Sequence, residues 1–340
     1  MNGELMAAEM ADQPAVLHRL LEHRGEVAAR VRGLLPDPLV GITLVARGSS
    51  DNAAVFGRYI LEMATRRPTG LTAPSIHTLY RVPVDMRGYL TVGISQSGRT
   101  PEIVTVLGRV REQGGRTIAL VNAASSPLGE VADLTIELAA GEERAVPATK
   151  TVTATLVALA MVAAGAGDVA WSDAELTALP EQVADLLADG AGPESVAVAL
   201  DGADRLLVTG RGLHLVAAME TALKVRETSG VMAEGISPAD LRHGPIAAVG
   251  PGFPVLAFGG GGTPDPDSGE LARLLDERGA HVMEVSAGAG AVCSLPARVP
   301  EPLLPPLEVV RGQQIAAAIA RLRGLDPDAP PGLSKVTLTH

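Results

Sequence analysis

Three groups of residues in this 340-residue sequence have the types and spacing to do chemistry. The first is a pair of turns, Arg47-Gly48-Ser49-Ser50 and Ser95-Gln96-Ser97-Gly98-Arg99-Thr100-Pro101, each rich in hydroxyl groups where an apolar run gives way to a helical pattern. Hydroxyls and free backbone N–H groups at a helix start can ring a dianion, Gly98 lets the backbone come close, and Pro101 suits a first helical turn. The second turn is therefore a candidate phosphate cradle. A serine-glycine turn is also an ordinary helix cap, and the lysine-serine ending of a Walker loop is missing.

The second group lies between Arg211 and Pro245. On a predicted helix over 216–229, Glu220, Lys224 and Glu227 share one face. Two readings stand: a surface ion-pair ladder, or a base, Glu227, held beside a cation and able to move a proton between adjacent carbons. His243, in Leu241-Arg242-His243-Gly244-Pro245, is either structural or an acid–base group; no other histidine has a comparable sequence setting. The third group is the tail from Asp326, with three prolines and Gly332 before Leu333-Ser334-Lys335. The run Lys335-Val336-Thr337-Leu338 alternates like a strand, so the tail is expected to dock, and a docked Lys335 would be a nucleophile toward a carbonyl.

The elements that must position these groups follow from periodicity. Strands are expected at 39–46, 90–94, 117–121 and 134–138, with helices near 52–64, 101–113 and 126–132, which implies a mostly parallel sheet covered on both faces. Both hydroxyl-rich turns then fall at carboxyl ends of strands and are expected to open on one crevice. Two helical stretches, 149–164 and 173–187, lead to a second rhythm with strands at 205–209, 254–258 and 281–285 and a helix over 309–323. Ile42–Ser49 and Arg205–Leu213 are both strand-to-glycine turns, which points to duplication. Residues 14–35 read as one amphipathic helix capped by Asp12, an arm packing on the body or on a second subunit. A boundary is placed near 190–201.

Composition narrows the classes. A net charge of -11 repels a nucleic-acid backbone at long range, and 2% aromatic residues make a poor base-stacking surface. Any phosphate must be held locally. The single cysteine, Cys293, cannot form an internal disulfide, and no signal peptide is read in 1–12, so a cytoplasmic location is expected. The longest apolar stretch, 152–165, is shorter than the ~20 residues of a membrane span and is expected to be a buried helix.

Taken together, the segments Ala46-Arg47-Gly48-Ser49-Ser50, Ser95-Gln96-Ser97-Gly98 with Thr100, Val146-Pro147-Ala148-Thr149-Lys150, Ala222-Leu223-Lys224-Val225-Arg226-Glu227, Leu241-Arg242-His243-Gly244-Pro245 and Leu333-Ser334-Lys335-Val336-Thr337 resemble the sugar isomerase (SIS) family, and within it the isomerase half of glucosamine-6-phosphate synthase. The resemblance runs from about Val40 to His340. It implies an α/β fold of two SIS-type three-layer αβα subdomains, each with a mainly parallel sheet: an arm over 1–36, subdomains over 37–190 and 191–325, and a tail over 326–340. It also implies that Ser50, Ser95, Gln96, Ser97 and Thr100 hold a phosphate, with Val146, Ala148 and Ser334 near the sugar. Glu227 would be the base, Lys224 a support for enolate-like charge and Lys335 the group meeting the carbonyl carbon. His243 would open the ring from a neighbouring subunit, so a homodimer is implied.

The departures are Arg99, where the synthases usually carry an acid, Ala148 in place of a hydroxyl residue, and no glutaminase segment in the sequence. These features are similar to the stand-alone, synthase-like glucosamine-6-phosphate deaminases, which share the Arg-Gly-Ser-Ser-Asp-Asn run. The expected reaction takes glucosamine 6-phosphate to fructose 6-phosphate and ammonia. A fructosyl-amine 6-phosphate deglycase, an ammonia-dependent aminating isomerase and a non-catalytic phosphosugar sensor are the alternatives. Proton transfer by a carboxylate needs no metal or redox cofactor. No nucleic-acid or membrane partner is expected.

Overall fold

Most of the strands read as short apolar runs because each is covered on both faces. The computed structural model describes residues 3–259 and 266–335. In chain order it begins with α1 (Glu4–Ala11), α2 (Gln13–Glu22), α3 (Arg24–Leu34), β1 (Gly41–Val45), α4 (Ser49–Thr65), β2 (Thr69–Leu71), α5 (Pro74–Thr78) and β3 (Tyr89–Ile94). There follow α6 (Pro101–Glu112), β4 (Arg116–Val121), α7 (Pro127–Val131), β5 (Leu134–Glu137), α8 (Lys150–Ala166), α9 (Asp173–Thr177), α10 (Leu179–Ala188) and α11 (Ala191–Ala199). The last are β6 (Arg205–Gly210), α12 (Leu215–Ser229), β7 (Met232–Ile236), α13 (Pro238–Arg242), β8 (Pro254–Phe258), α14 (Pro266–Glu277), β9 (His281–Ser286), β10 (Cys293–Ser294) and α15 (Leu304–Leu322).

Two five-stranded parallel sheets result, with orders β2-β1-β3-β4-β5 and β7-β6-β8-β9-β10. The two orders are the same, so the duplication read from the glycine turns extends to the whole topology. In this doubly wound order the chain reverses direction of build between the first and third strands, where the loops diverge and leave a crevice. The α/β architecture expected from the strand-helix rhythm is present. The chain divides into two units by its internal contacts: one with the first sheet, Ala15–Glu143 and Lys150–Ser172, and one with the second, residues up to Pro14, Arg144–Thr149 and Asp173–Lys335.

In the first-sheet unit, α8 is buried along nearly its whole length between α3 and α4, as its unbroken apolar run requires. Gly165 makes this approach possible, since a Cβ there would sit 2.8 Å from the Ala28 carbonyl oxygen. No helix among the described residues is long and apolar enough to cross a membrane.

Several expectations need correction. Residues 14–35 do not form one helix: α2 ends at Glu22 and α3 starts at Arg24, and α1 precedes both. The stretch 173–187 is two helices, α10 restarting with Pro180 in its first turn. The segment 190–201, where the boundary is expected, carries α11, whose Gly192 lets it lie against β10; a Cβ there would be 2.7 Å from the Val292 carbonyl oxygen. Strands β2, β7 and β10 went unread because they are short edge strands with little apolar signal. The strand-like run after Lys335 lies outside the described residues.

In the second-sheet unit the Arg311 guanidinium is fully buried, donating to the carbonyls of Leu186, Asp189 and Ser294 and to the Asp189 carboxylate at 2.8 Å. This joins α15 to the end of α10 and to β10. Burial pushes the Cys293 thiol up to about 12, with Arg311 opposing and Asp189 reinforcing the shift. The native protein is therefore expected to be inert to a thiol-specific disulfide reagent at pH 8, and to react in full once unfolded in guanidinium. Rapid labelling of the folded protein would show that this thiol is exposed to solvent.

Candidate functional site

In the first-sheet unit the two hydroxyl-rich turns follow β1 and β3, neighbouring strands at the point where the winding reverses. Ser95 is buried, with its Oγ 3.2 Å from Thr100 Oγ1, while Gln96, Ser97 and Thr100 keep partial exposure. The turn is drawn tight: Gly98 N donates to the Ser95 carbonyl at 3.0 Å, and the Gly98 carbonyl accepts from Leu128 N at 3.0 Å. Gly98 has φ +63°, and a Cβ would lie 2.2 Å from Ser126 Oγ, so no larger residue fits. Ser97 Oγ accepts from Arg99 N at 3.2 Å, and Ser50 sits in the first turn of α4.

One link between these turns was not read from sequence. Arg47 Nε donates to Glu102 Oε2 at 2.9 Å, tying the end of β1 to the first turn of α6. Glu102 is buried whereas the Arg47 side chain is 46% exposed, so the guanidinium can still face a ligand. Burial raises the pKa of the nearby Asp51 carboxyl, partly offset by Arg47.

In the second-sheet unit, α12 carries the candidate base. Lys224 and Glu220 side chains are each 1% exposed and Glu227 is 22% exposed, so the surface-ladder reading is wrong. Lys224 Nζ is 3.4 Å from Glu220 Oε1 and donates to Glu227 Oε2. One ammonium is held between two carboxylates, of which only Glu227 retains access. The helix packs against α15 and β7, and those contacts need small residues: a Cβ on Gly312 would fall 2.0 Å from Thr221 Oγ1, and one on Gly235 2.5 Å from Met219 Cα.

His243 is the exposed C-cap of α13, whose start is capped by Ser237 Oγ accepting from Asp240 N at 3.1 Å. The preceding Arg242 pairs with Asp267 and Glu270 of α14. Val146 and Ala148 are half-buried, and Val146 N donates to the Asp328 carbonyl at 3.1 Å, so this segment adjoins the tail that leads to Ser334 and Lys335. Lys335, the last described residue, is half-buried. One histidine that reads as unremarkable in sequence is not: His214 Nδ1 lies 2.6 Å from Glu308 Oε1, and both are buried. Separated by 94 residues, the pair left no local signal. Thus Ser50, Ser95, Gln96, Ser97 and Thr100 belong to one unit, and Lys224, Glu227, His243, Val146, Ala148, Ser334 and Lys335 to the other.

Two five-stranded parallel sheets of the same strand order define a tandem α/β architecture. The sequence profile of the SIS domain matches residues 41–165 and 199–290, and the chain belongs to the SIS-domain family. The chain is 32% identical over 97% of its length to the glutamine–fructose-6-phosphate aminotransferase (isomerizing) of Thermus thermophilus, and 31% identical over 97% to that of Zymomonas mobilis. It spans 58% of each of those relatives. A crystal structure from Silicibacter pomeroyi, whose assignment as a phosphosugar isomerase is itself provisional, aligns with TM-score 0.84 at 31% identity, covering 96% of this chain and 100% of that one. The glucosamine-6-phosphate deaminase of Thermotoga maritima shares the fold, with TM-score 0.80 at 24% identity over 99% of this chain and 100% of that one.

Proposed function

We propose that this chain is a phosphosugar aldose–ketose isomerase that deaminates glucosamine 6-phosphate to fructose 6-phosphate. The observation that carries the reading is the buried Lys224 flanked by Glu220 and Glu227, with only Glu227 left accessible. In this reading Ser50, Ser95, Gln96, Ser97 and Thr100 hold the phosphate, and Val146, Ala148 and Ser334 line the sugar. His243, supplied across a homodimer interface, protonates the ring oxygen as the ring opens. Glu227 takes the proton from C2 and returns it to C1, and Lys224 steadies the charge that develops between them. The product of that transfer is a C2 imine; water adds to C2, the C–N bond breaks and ammonia leaves. Lys335 meets the carbonyl carbon.

Purified protein is expected to release ammonia and fructose 6-phosphate in equal amounts from glucosamine 6-phosphate, and no lysine from fructosyl-lysine 6-phosphate. The names of the aminotransferase relatives favour a second reading, amination, which predicts glucosamine 6-phosphate from fructose 6-phosphate and ammonium. Binding of sugar phosphates with no turnover in either direction would leave only a sensor. The cradle is tested separately by Gly98→Ala. A left-handed backbone at a residue with a Cβ costs about 1–2 kcal/mol, and here the methyl also displaces Ser126. Calorimetric titration is expected to show sugar-phosphate affinity lower by about tenfold or more. Undiminished binding would remove Ser95–Thr100 as the phosphate site.

A further inference from the structure

The first helix is tied at both of its ends to segments that the proposed chemistry uses. At its start, the Asp328 carboxylate accepts from Leu5 N at 2.9 Å and Met6 N at 2.8 Å, and the Asp326 carboxylate accepts from Gly3 N at 3.1 Å. An aspartate on free N–H groups of a first helical turn gains from both charge-assisted hydrogen bonds and the helix dipole. The Asp328 carbonyl meanwhile accepts from Val146 N at 3.1 Å. One residue therefore joins the helix, the 144–149 segment and the tail, seven positions before Lys335. From the other end of α1, the buried Glu9 carboxylate accepts from Arg144 N and, at 3.2 Å, from Ala145 N. Met6 and Met10 pack against Ala145, with Leu187 and Ala317 beside them.

We propose that α1 is a positioning element: through Asp328 and Glu9 it sets the register of the 144–149 segment against the tail, and so the place from which Lys335 acts. None of these groups needs to touch the ligand. The proposal rests on the reading of Lys335 and Val146 as substrate-facing, and it deepens that reading by assigning what holds them.

The test uses the full chain with Asp328→Asn, Asp328→Ala and Glu9→Ala, each assayed well below its melting temperature. Asparagine keeps one acceptor oxygen, so the expected order of activity is wild type, Asp328→Asn, Asp328→Ala. Small displacements of catalytic groups carry large rate penalties, so kcat for glucosamine 6-phosphate is expected to fall about tenfold in Asp328→Asn and about a hundredfold in Asp328→Ala, with KM within about twofold because the phosphate grip is untouched. Amide hydrogen exchange is expected to quicken at Leu5, Met6 and Val146 in both Asp328 variants, and at Arg144 and Ala145 in Glu9→Ala, while amides of β6 stay protected.

A general loss of folding would raise exchange in β6 as well and would not split kcat from KM. Unchanged Val146 exchange in folded Asp328→Ala, or unchanged kcat despite faster exchange, would overturn the proposal. The exchange measurement does not depend on turnover. Wild-type protein inert toward glucosamine 6-phosphate would therefore defeat the functional reading alone, while Val146 exchange would still decide whether Asp328 couples the tail to this segment.

Discussion

Glu227→Gln is expected to lower turnover of glucosamine 6-phosphate by about a thousandfold while leaving KM within about twofold. Glutamine has nearly the same shape and keeps an oxygen that can accept from Lys224, so the packing of α12 should survive. What it lacks is a basic oxygen to take the C2 proton. General-base removal of this kind acts on the transition state rather than on ground-state binding, which predicts a fall in kcat with little change in affinity. A sensitive version follows exchange of the C2 proton with deuterated water by NMR, which isolates the proton transfer from hydrolysis of the imine. Exchange at the wild-type rate in Glu227→Gln would assign the base elsewhere, and Ser97→Ala would then still test the phosphate grip by itself.

The second large effect is on stability. Lys224→Met removes the ammonium that pairs with Glu220 and Glu227 at a site where Lys224 and Glu220 are each 1% exposed. Deleting one partner of a buried ion pair costs about 3–5 kcal/mol. The melting temperature is expected to fall by roughly 10 °C, since each kcal/mol is about 2–4 °C in a domain of this size. Lys224→Met combined with Glu220→Gln is expected to recover part of that loss, because the second change neutralises the more deeply buried carboxylate. Such non-additivity is the signature of direct coupling. A single Lys224→Met variant melting within about 1 °C of wild type would mean that water reaches the pair.

How much of this could be read in advance depended on the range of each interaction. The cradle was legible because Ser95 to Pro101 are contiguous and the turn makes its own shape, Gly98 N bonding back to Ser95 within four residues. Glu220, Lys224 and Glu227 were legible as a face, since helical spacing alone makes them neighbours. Whether that face was wet or dry was not legible. Its burial is a product of tertiary packing: α12 lies against β7 and α15, and α15 is about eighty residues further along the chain. The same limit hid the Arg47–Glu102 link across 55 residues and the Asp328–Met6 bond across 322.

The alternation of strand and helix, the repeat of that alternation and the hydroxyl-rich turns at strand ends are all written locally in the chain, because backbone periodicity and turn chemistry are settled by residues within a few positions of one another. Which polar groups are buried together is a matter of long-range packing: the ion-paired side chains of α12, the His214–Glu308 pair, and the helix start that holds the tail. Those outcomes depend on which distant surfaces exclude water from each other, and a linear pattern carries almost no information about that.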